Sequence, residues 1–132
     1  MIRKATGNDF NFLYYLYMHP QVNPYLLYEY MQQDDFHTVF NELLHKNVLY
    51  IFEVNGVDVG MFKLMPQHHR NAHIAYLGGV AIDPEHAGKG YGLQMMKEII
   101  DYAKLHGFLR LELTVSTSNE KAIQLYLKAG FH

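Results

Sequence analysis

The sequence predicts a mixed α/β (α+β) fold, in which helices flank a mostly antiparallel central sheet. One observation is a hairpin signal, because apolar, β-branched stretches at 48–54 and 57–65 flank the tight-turn dipeptide Asn55-Gly56. Another is the order strand, helix, strand, helix after the hairpin, which is typical of a crossover between parallel strands. With 132 residues, the chain fits a single domain spanning 1–132.

The first half is predicted to hold a short strand and two helices before the hairpin. Residues 1–5 are expected to form the strand, and the hydroxyl of Thr6 can cap a helix over 8–18. That helix should end before Pro20, because proline disfavours the helical conformation in the residue that precedes it. A second helix is expected over 34–46, where apolar residues recur on one helical face.

The second half is predicted to add two strands. The first covers 72–82 and is interrupted by Gly78-Gly79, and paired glycines inside a strand indicate a bulge. Alternating apolar residues predict the second strand at 109–116.

A helix is expected after each of these strands. The first should run to about His106 and end at Gly107, which suits a left-handed C-terminal position. Asn119 can cap the last helix, over 120–129. The predicted buried face of the first helix consists of Leu93, Met96, Ile100 and Ala103.

Composition and charge exclude several classes of function. The chain has 13 acidic and 11 basic residues and no basic stripe, which argues against a nucleic-acid partner. It has no cysteine, so disulfides, a cysteine nucleophile and thiolate metal sites are excluded. No apolar run approaches the ~20 residues of a membrane span, and the N-terminus lacks the apolar run of a signal peptide. We expect a cytoplasmic protein with no membrane partner.

Residues 83–92 form a glycine-rich loop, Asp-Pro-Glu-His-Ala-Gly-Lys-Gly-Tyr-Gly, directly before a helix. The first helical turn leaves backbone N–H groups without partners, and the helix dipole adds positive potential there. Glycines let that backbone approach a phosphate, and Lys89 adds a cation. The loop therefore predicts an anion cradle. The alternative is a tight strand-to-helix turn that holds no ligand.

Two separated motifs resemble the GNAT acyltransferases. The loop is similar to the family pattern Q/R-x-x-G-x-G/A, with Gly90 and Gly92 at the small positions and Ala87 where the family has Gln or Arg. Downstream, 119–131 (NEKAIQLYLKAGF) resembles N-x-x-A-x-x-L-Y-x-x-x-G-F. The resemblance implies a GNAT-like sheet that splays between the two strands of the second half, and two further C-terminal strands that are short or missing here.

The resemblance also implies the activity. The chain is expected to transfer an acetyl group from acetyl-CoA to a primary amine of a small molecule, amino acid or peptide, by direct attack in a ternary complex. The alternative is a non-catalytic acyl-CoA-binding regulatory domain. The implied coenzyme-binding residues are Val80, Ala81, Ile82, Ala87, Gly88, Lys89, Gly90, Tyr91, Gly92, Asn119 and Tyr126.

Two of these residues have further roles to weigh. The hydroxyl of Tyr126 is implied as the general acid for the leaving thiolate. A phenol of pKa ~10 protonates a thiolate of pKa ~8.5 only uphill, so a hydrogen bond alone is the other reading. For Asn119, the alternative to a coenzyme contact is a plain helix cap.

The general base is not assigned by the sequence. Many members of the family carry a glutamate close to the position of Tyr76, which here is a tyrosine. A water chain is another route for the proton. The remaining candidates, each of which also suits a surface or structural role, are Glu29, Glu53, His73 and Glu112.

The acceptor side and the assembly state stay open. An aromatic cluster lies where relatives line the acceptor pocket, although we favour a helix packed on the sheet as its explanation: Tyr14, Tyr15, Tyr17, Tyr25, Tyr28 and Tyr30. We expect no metal, because His68-His69 and His73 read as surface residues. An open sheet edge after Phe131 makes a homodimer one explanation of the short C-terminus, beside truncation and a naturally minimal domain.

Overall fold

The fold is seen in a computed structural model that describes residues 1–26, 28–68, 70, 72–115 and 118–131. The strands are β1 (Ile2–Lys4), β2 (Leu49–Val54), β3 (Val57–Pro66), β4 (Ile74–Ile82) and β5 (Arg110–Leu113). The α-helices are α1 (Phe10–Met18), α2 (Gln33–Lys46), α3 (Tyr91–Leu105) and α4 (Glu120–Lys128). No strand follows α4 within these described residues.

The five strands form one sheet in the order β1-β2-β3-β4-β5. β1 to β4 pair antiparallel, and β4 pairs parallel with β5. The β2–β3 hairpin turns at Asn55 and Gly56, whose φ angles of 52° and 79° match a turn that needs positive φ at both positions. The predicted sheet is therefore confirmed as mixed and mostly antiparallel.

The last strand is shorter than predicted. β5 ends at Leu113, and its pairing with β4 stops at the Leu77–Leu113 pair, so the predicted strand over 109–116 was too long. Leu109 is 84% exposed and precedes the strand. The register of β4 shifts just beyond Gly78, and the pairing with β5 has ended by that point. Ser116 lies outside the described residues.

The predicted bulge lies in β4. Met61 of β3 pairs with Ala81 and Lys63 pairs with Gly78, so one β3 residue faces two residues of β4. Gly79 has a φ of 57°, a backbone conformation that side chains disfavour. The bulge redirects β4 at the point where it separates from β5. The strand itself begins at Ile74, later than the predicted start at residue 72.

The ends of α1 follow the predicted capping with one difference. The Thr6 hydroxyl accepts a hydrogen bond from Asn8 N–H, and the Asp9 carboxylate accepts one from Thr6 N–H. This cap precedes a single 3₁₀ turn, Gly7–Asp9, and the α-helix begins at Phe10. The helix ends before Pro20, as expected.

The buried face of α3 is rotated from the predicted one. The buried residues are Met95, Met96, Ile99 and Ala103. Leu93 and Ile100 are only half-buried, because they face grooves beside α4 and beside Phe108 rather than the sheet. The helix packs against both the sheet and α4, so its apolar stripe is wider than the sheet contact.

Each face of the sheet carries its own apolar cluster. One cluster joins α1 and α2 to the sheet through residues such as Leu13, Phe36 and Phe40. The other joins α3 and α4 to it through Met96 and Tyr126. Over the described ranges, none of the helices is both long and apolar enough to cross a membrane.

Candidate active site

A cleft opens where β4 and β5 separate. Beyond the Leu77–Leu113 pair the two strands no longer bond, and a cavity of about 680 Å³ lies between them. The connection between α1 and α2 forms one wall, and the start of α4 forms another. The predicted site residues that line the cleft are Val80, Ala81, Ile82, Ala87, Asn119 and Tyr126.

The glycine loop presents a row of unpaired backbone N–H groups. Gly88 and Gly90 have φ angles of 80° and 78°, and Gly90 caps α3 without a side-chain hydrogen bond. The first bond into the helix runs from Gln94 N–H to the Gly90 carbonyl, at 3.2 Å. No described residue accepts a hydrogen bond from the N–H groups of 88–93. An anion at this helix start would meet these donors and the positive end of the dipole.

Gly92 has a packing role as well. A Cβ at this position would lie 3.2 Å from a methyl carbon of Leu125, so the glycine lets α3 and α4 approach closely. Gly90 and Gly92 also line an open groove of about 870 Å³ that α4 borders. Lys121 and Lys128 border that groove together with Glu120. The exposed cations add a favourable field for an anion there.

The loop is tied to α1 through Asp83, which sequence reasoning missed. Asp83 is only 6% exposed, and its Oδ1 accepts hydrogen bonds from Glu85 N–H at 3.0 Å and from the Tyr15 hydroxyl at 2.8 Å. Burial and this contact raise the pKa of Tyr15 to about 12. Asp83-Pro84 signals a cap at the end of the strand. The Tyr15 contact spans 68 residues and has no local signal.

Tyr126 lies on the buried face of α4 and lines the cleft. It is 9% exposed, and burial raises the pKa of its hydroxyl to about 12. The hydroxyl has no hydrogen bond to any residue the structure describes. It therefore stays protonated at neutral pH and is available to donate a hydrogen bond in the cleft.

Asn119 is the predicted cap of α4. Its side-chain oxygen accepts a hydrogen bond from Ala122 N–H at 3.3 Å. The same residue lines the cleft, so its amide NH₂ group is placed for a second partner. The cap and a ligand contact are compatible, because they use different atoms.

None of the four base candidates from the sequence lines the cleft. Glu53 forms an ion pair with Arg3 at 3.3 Å, and Glu112 forms one with Arg110 at 3.3 Å. Both carboxylates thus have structural partners. Glu120, which is exposed, is the one carboxylate among the described residues of the cleft lining.

The other two base candidates lie at the surface, and Tyr76 forms a hydrogen bond near the cleft. Glu29 and His73 are exposed. The Tyr76 hydroxyl donates a hydrogen bond to Thr114 Oγ1, and Thr114 lies in the cleft lining. Tyr76 therefore links β4 to the residue directly after β5, at the point where the strands separate.

The aromatic cluster is mainly part of the core and its edges. Tyr17 is buried at 1% exposure, and the Tyr14 hydroxyl donates to the Met31 carbonyl at 3.0 Å. Tyr25 alone among the six lines the cleft, and it is 49% exposed. Packing of α1 on the sheet explains most of the cluster. In the described part of the chain no three His, Asp or Glu side chains form a metal-binding group.

Residues 10–131 match the model of a protein family described as "Acetyltransferase (GNAT) family". The spermidine N(1)-acetyltransferase of Vibrio cholerae is 27% identical over 140 residues, covering 98% of this chain and 77% of that protein. An uncharacterized N-acetyltransferase of Methanocaldococcus jannaschii is 32% identical over 85 residues, which cover 62% of this chain and 38% of that protein. The chain thus spans well under half of that relative.

Solved structures share the fold. The structure of spermidine N-acetyltransferase from Vibrio cholerae in complex with CoA and spermine superposes with a TM-score of 0.84 at 23% identity, covering 98% of this chain and 79% of that one. A ribosomal-protein-alanine N-acetyltransferase from Brucella melitensis gives 0.76 at 22% identity, over 100% and 84% of the two chains. These findings confirm the predicted resemblance and, for the family, acetyl-CoA as the acetyl donor.

Proposed function

Because the chain belongs to the acetyltransferase (GNAT) family, we propose that it transfers the acetyl group of acetyl-CoA to a primary amine of a small molecule, amino acid or peptide. The observation that carries this proposal is the row of unpaired N–H groups at 88–93 beside a cleft between two separating strands. Backbone donors of this kind suit a diphosphate, and the cleft suits an extended thioester arm.

In this proposal the coenzyme is held mostly by backbone. Its diphosphate meets the N–H groups from Gly88 to Gly92, and Lys89 adds charge. Its arm runs along Val80, Ala81 and Ile82, past Asn119. The departure at Ala87 removes a side-chain contact and leaves the backbone donors in place. In this proposal a backbone N–H freed by the β4 bulge stabilises the negative charge that develops on the thioester oxygen.

The proposed reaction forms a C–N bond and breaks the thioester C–S bond. The amine nitrogen attacks the acetyl carbon, the amine loses a proton to water, and the sulfur leaves as a thiolate. Tyr126 with a pKa of about 12 cannot readily protonate a thiol of pKa about 8.5, since that transfer is uphill by about 5 kcal/mol. We therefore assign its hydroxyl a hydrogen bond to the leaving sulfur, and the thiolate takes its proton from solvent.

The coenzyme site is tested with a pair of glycine variants. Gly90 and Gly107 have φ angles of 78° and 81°, and open space surrounds a Cβ at both. Alanine at either position costs about 1–2 kcal/mol of stability through the same backbone strain. Only Gly90→Ala lies in the proposed cradle, so it should weaken acetyl-CoA binding at least about tenfold, while Gly107→Ala should not.

The measurement is the rise in Tm on adding acetyl-CoA, which stabilises the wild type by about 2.7 kcal/mol at 100 times Kd. No rise at millimolar coenzyme would contradict the proposal. An equal loss of the rise in both variants would show that backbone strain, and not the cradle, controls binding.

Two observations support the non-catalytic alternative: Ala87 stands where the family pattern has Gln or Arg, and the described cleft lining contains no assigned base. Release of free coenzyme thiol is the discriminating readout. The amine panel includes spermidine and spermine, because relatives carry those names, together with amino acids and peptides. Coenzyme binding without thiol release over the whole panel would favour the regulatory domain.

Light scattering at several concentrations tests the homodimer, which stays a prediction.

A further inference from the structure

We infer that the acceptor amine carries an anionic oxygen group, a carboxylate or a phosphate, which Lys63 and the Tyr17 hydroxyl bind behind the β4 bulge. This inference rests on the proposed acetyl transfer and specifies the substrate class of that same cleft. It is carried by two buried donors that converge on one glycine.

Lys63 is a buried cation without a counter-charge in the described part of the chain. It alternates along β3 with Met61 and Met65, on the face that α1 and α2 cover, and is only 7% exposed. The ion pairs of the described residues all join other groups. Its ammonium lies 5.3 Å from the centre of the Tyr28 ring. A buried charge is costly without a partner, and one aromatic face offsets only part of that cost.

The Tyr17 hydroxyl is a second buried group that lacks a partner. Tyr17 is 1% exposed, and among the described residues its hydroxyl oxygen forms no hydrogen bond. An ammonium has three donors and no acceptor, and a phenol also donates one proton. Neither the Lys63 ammonium nor the Tyr17 hydroxyl donates a hydrogen bond within the described residues, and an anionic oxygen would accept one from both.

Both groups converge on Gly79 at the bulge. A Cβ on Gly79 would lie 3.2 Å from Cε of Lys63 and 3.5 Å from the Tyr17 hydroxyl. Gly79 itself lines the cleft. Both donors therefore lie directly behind this residue of the cleft wall. The anionic group would therefore bind on the acceptor side of the thioester.

The charges around the pair favour an anion over a second cation. Burial and the nearby Lys46 lower the pKa of Lys63, so an added positive charge would meet repulsion. Burial and the negative charge of Glu42 raise the pKa of the Tyr28 hydroxyl. Glu42 forms no ion pair with Lys63 in the described structure. A polyamine would bring a further ammonium to this position. An amino acid or a phosphorylated amine would instead bring the missing counter-charge.

The test compares amines that differ only in the anionic group. Thiol release is measured with acetyl-CoA and β-alanine against propylamine, O-phosphoethanolamine against ethanolamine, and spermidine as a polycation. We expect the carboxylate or the phosphate member to have a kcat/KM at least about tenfold above that of its counterpart without the anionic group. The two pairs distinguish a carboxylate from a phosphate.

Variants connect this preference to the two side chains. Lys63→Met should lower the preference about tenfold, and Tyr17→Phe should lower it severalfold. Lys63→Arg keeps the charge and should retain most of the preference for the anionic amines. Lys97→Met is the control, an exposed lysine of α3 on the opposite face of the sheet, whose loss should leave the preference unchanged. Lys63→Met should fold with a Tm at or above that of the wild type, because it removes an uncompensated buried charge.

A second readout separates this inference from the acetyl transfer itself. Binding of β-alanine and O-phosphoethanolamine is followed as a rise in Tm, with and without coenzyme A. A rise that Lys63→Met abolishes supports the inference even if no panel amine is acetylated. Three results would overturn the inference. The first is equal or better use of propylamine or spermidine, and the second is an unchanged preference in Lys63→Met. The third is the absence of both turnover and a Lys63-dependent rise in Tm. Loss of acetyl-CoA binding alone counts against the proposed function instead.

Discussion

The two sides of the cleft are built from different chemistry. On the coenzyme side, the groups offered to a ligand are backbone amides at 88–93, placed by glycines within one short loop. On the acceptor side, they are side chains brought together from separate elements, with Tyr17 on α1 and Lys63 on β3. A backbone site needs few particular side chains, so we expect it to tolerate a departure from the family pattern such as Ala87. A side-chain site changes its ligand when a single residue changes.

The two sides are also connected. The Tyr15 hydroxyl of α1 donates to the buried Asp83 carboxylate, which holds the start of the glycine loop. A change on the acceptor-side helix is thus expected to reach the coenzyme, and the comparison can be tested by separating effects on binding, on turnover and on stability.

Removal of the Tyr126 hydroxyl should have the largest effect. Tyr126→Phe should lower kcat about tenfold to a hundredfold, the range of a hydrogen bond to a developing charge, with a smaller change in acetyl-CoA affinity. Initial rates of thiol release measure both. Tyr102→Phe is the control, because that hydroxyl contacts Tyr50 at 3.1 Å on the other side of α3. Equal rates for wild type and Tyr126→Phe would remove the assigned role.

Removal of the tie between α1 and the loop should have an intermediate effect. Tyr15→Phe takes one donor from the Asp83 carboxylate, so we expect the KM for acetyl-CoA to rise about threefold to tenfold with little change in kcat. Tyr14→Phe is the matched control on the same helix, because its hydroxyl donates to the Met31 carbonyl instead. A similar KM in both variants would show that the loop keeps its shape without Tyr15.

The smallest effect on catalysis is expected at the N-terminal cap, which belongs to neither side. Burial raises the pKa of Asp9, but its bonds to Arg3 and to Thr6 N–H lower it more, so the folded-state pKa is below the unfolded value. The stabilisation is therefore present above pH ~4 and is lost as the pH falls through the folded-state pKa.

Asp9→Asn should therefore lower the free energy of unfolding by about 1–2 kcal/mol at pH 7, with kcat unchanged. Urea unfolding at pH 7 and near pH 3 should show the difference between variant and wild type shrinking in acid. Asp101→Asn, an exposed position on α3, is the control. A difference that grows in acid would contradict the assigned sign.

Sequence patterns predicted the features that depend on neighbouring residues. The positive φ of Gly107, the cap at Asn119 and the bulge at Gly78-Gly79 each arise from a few adjacent residues, and the structure has them all. The predicted end of β5 failed, because a strand continues only while a partner strand accepts its bonds. The predicted face of α3 was right for Met96 and Ala103 and wrong for Leu93 and Ile100, since α4 covers a side of the helix that its own sequence does not identify.

What the sequence by itself determined is the order of elements, the glycine loop before α3 and the two motifs that place the chain in its family. These follow from local backbone preferences, which a short stretch of chain already specifies. Only the tertiary structure decided that Tyr15 meets Asp83, and that Lys63 and Tyr17 meet at Gly79 without an acceptor. Those contacts join residues far apart in the chain, and their energy depends on burial, which exists only after the sheet and helices have packed.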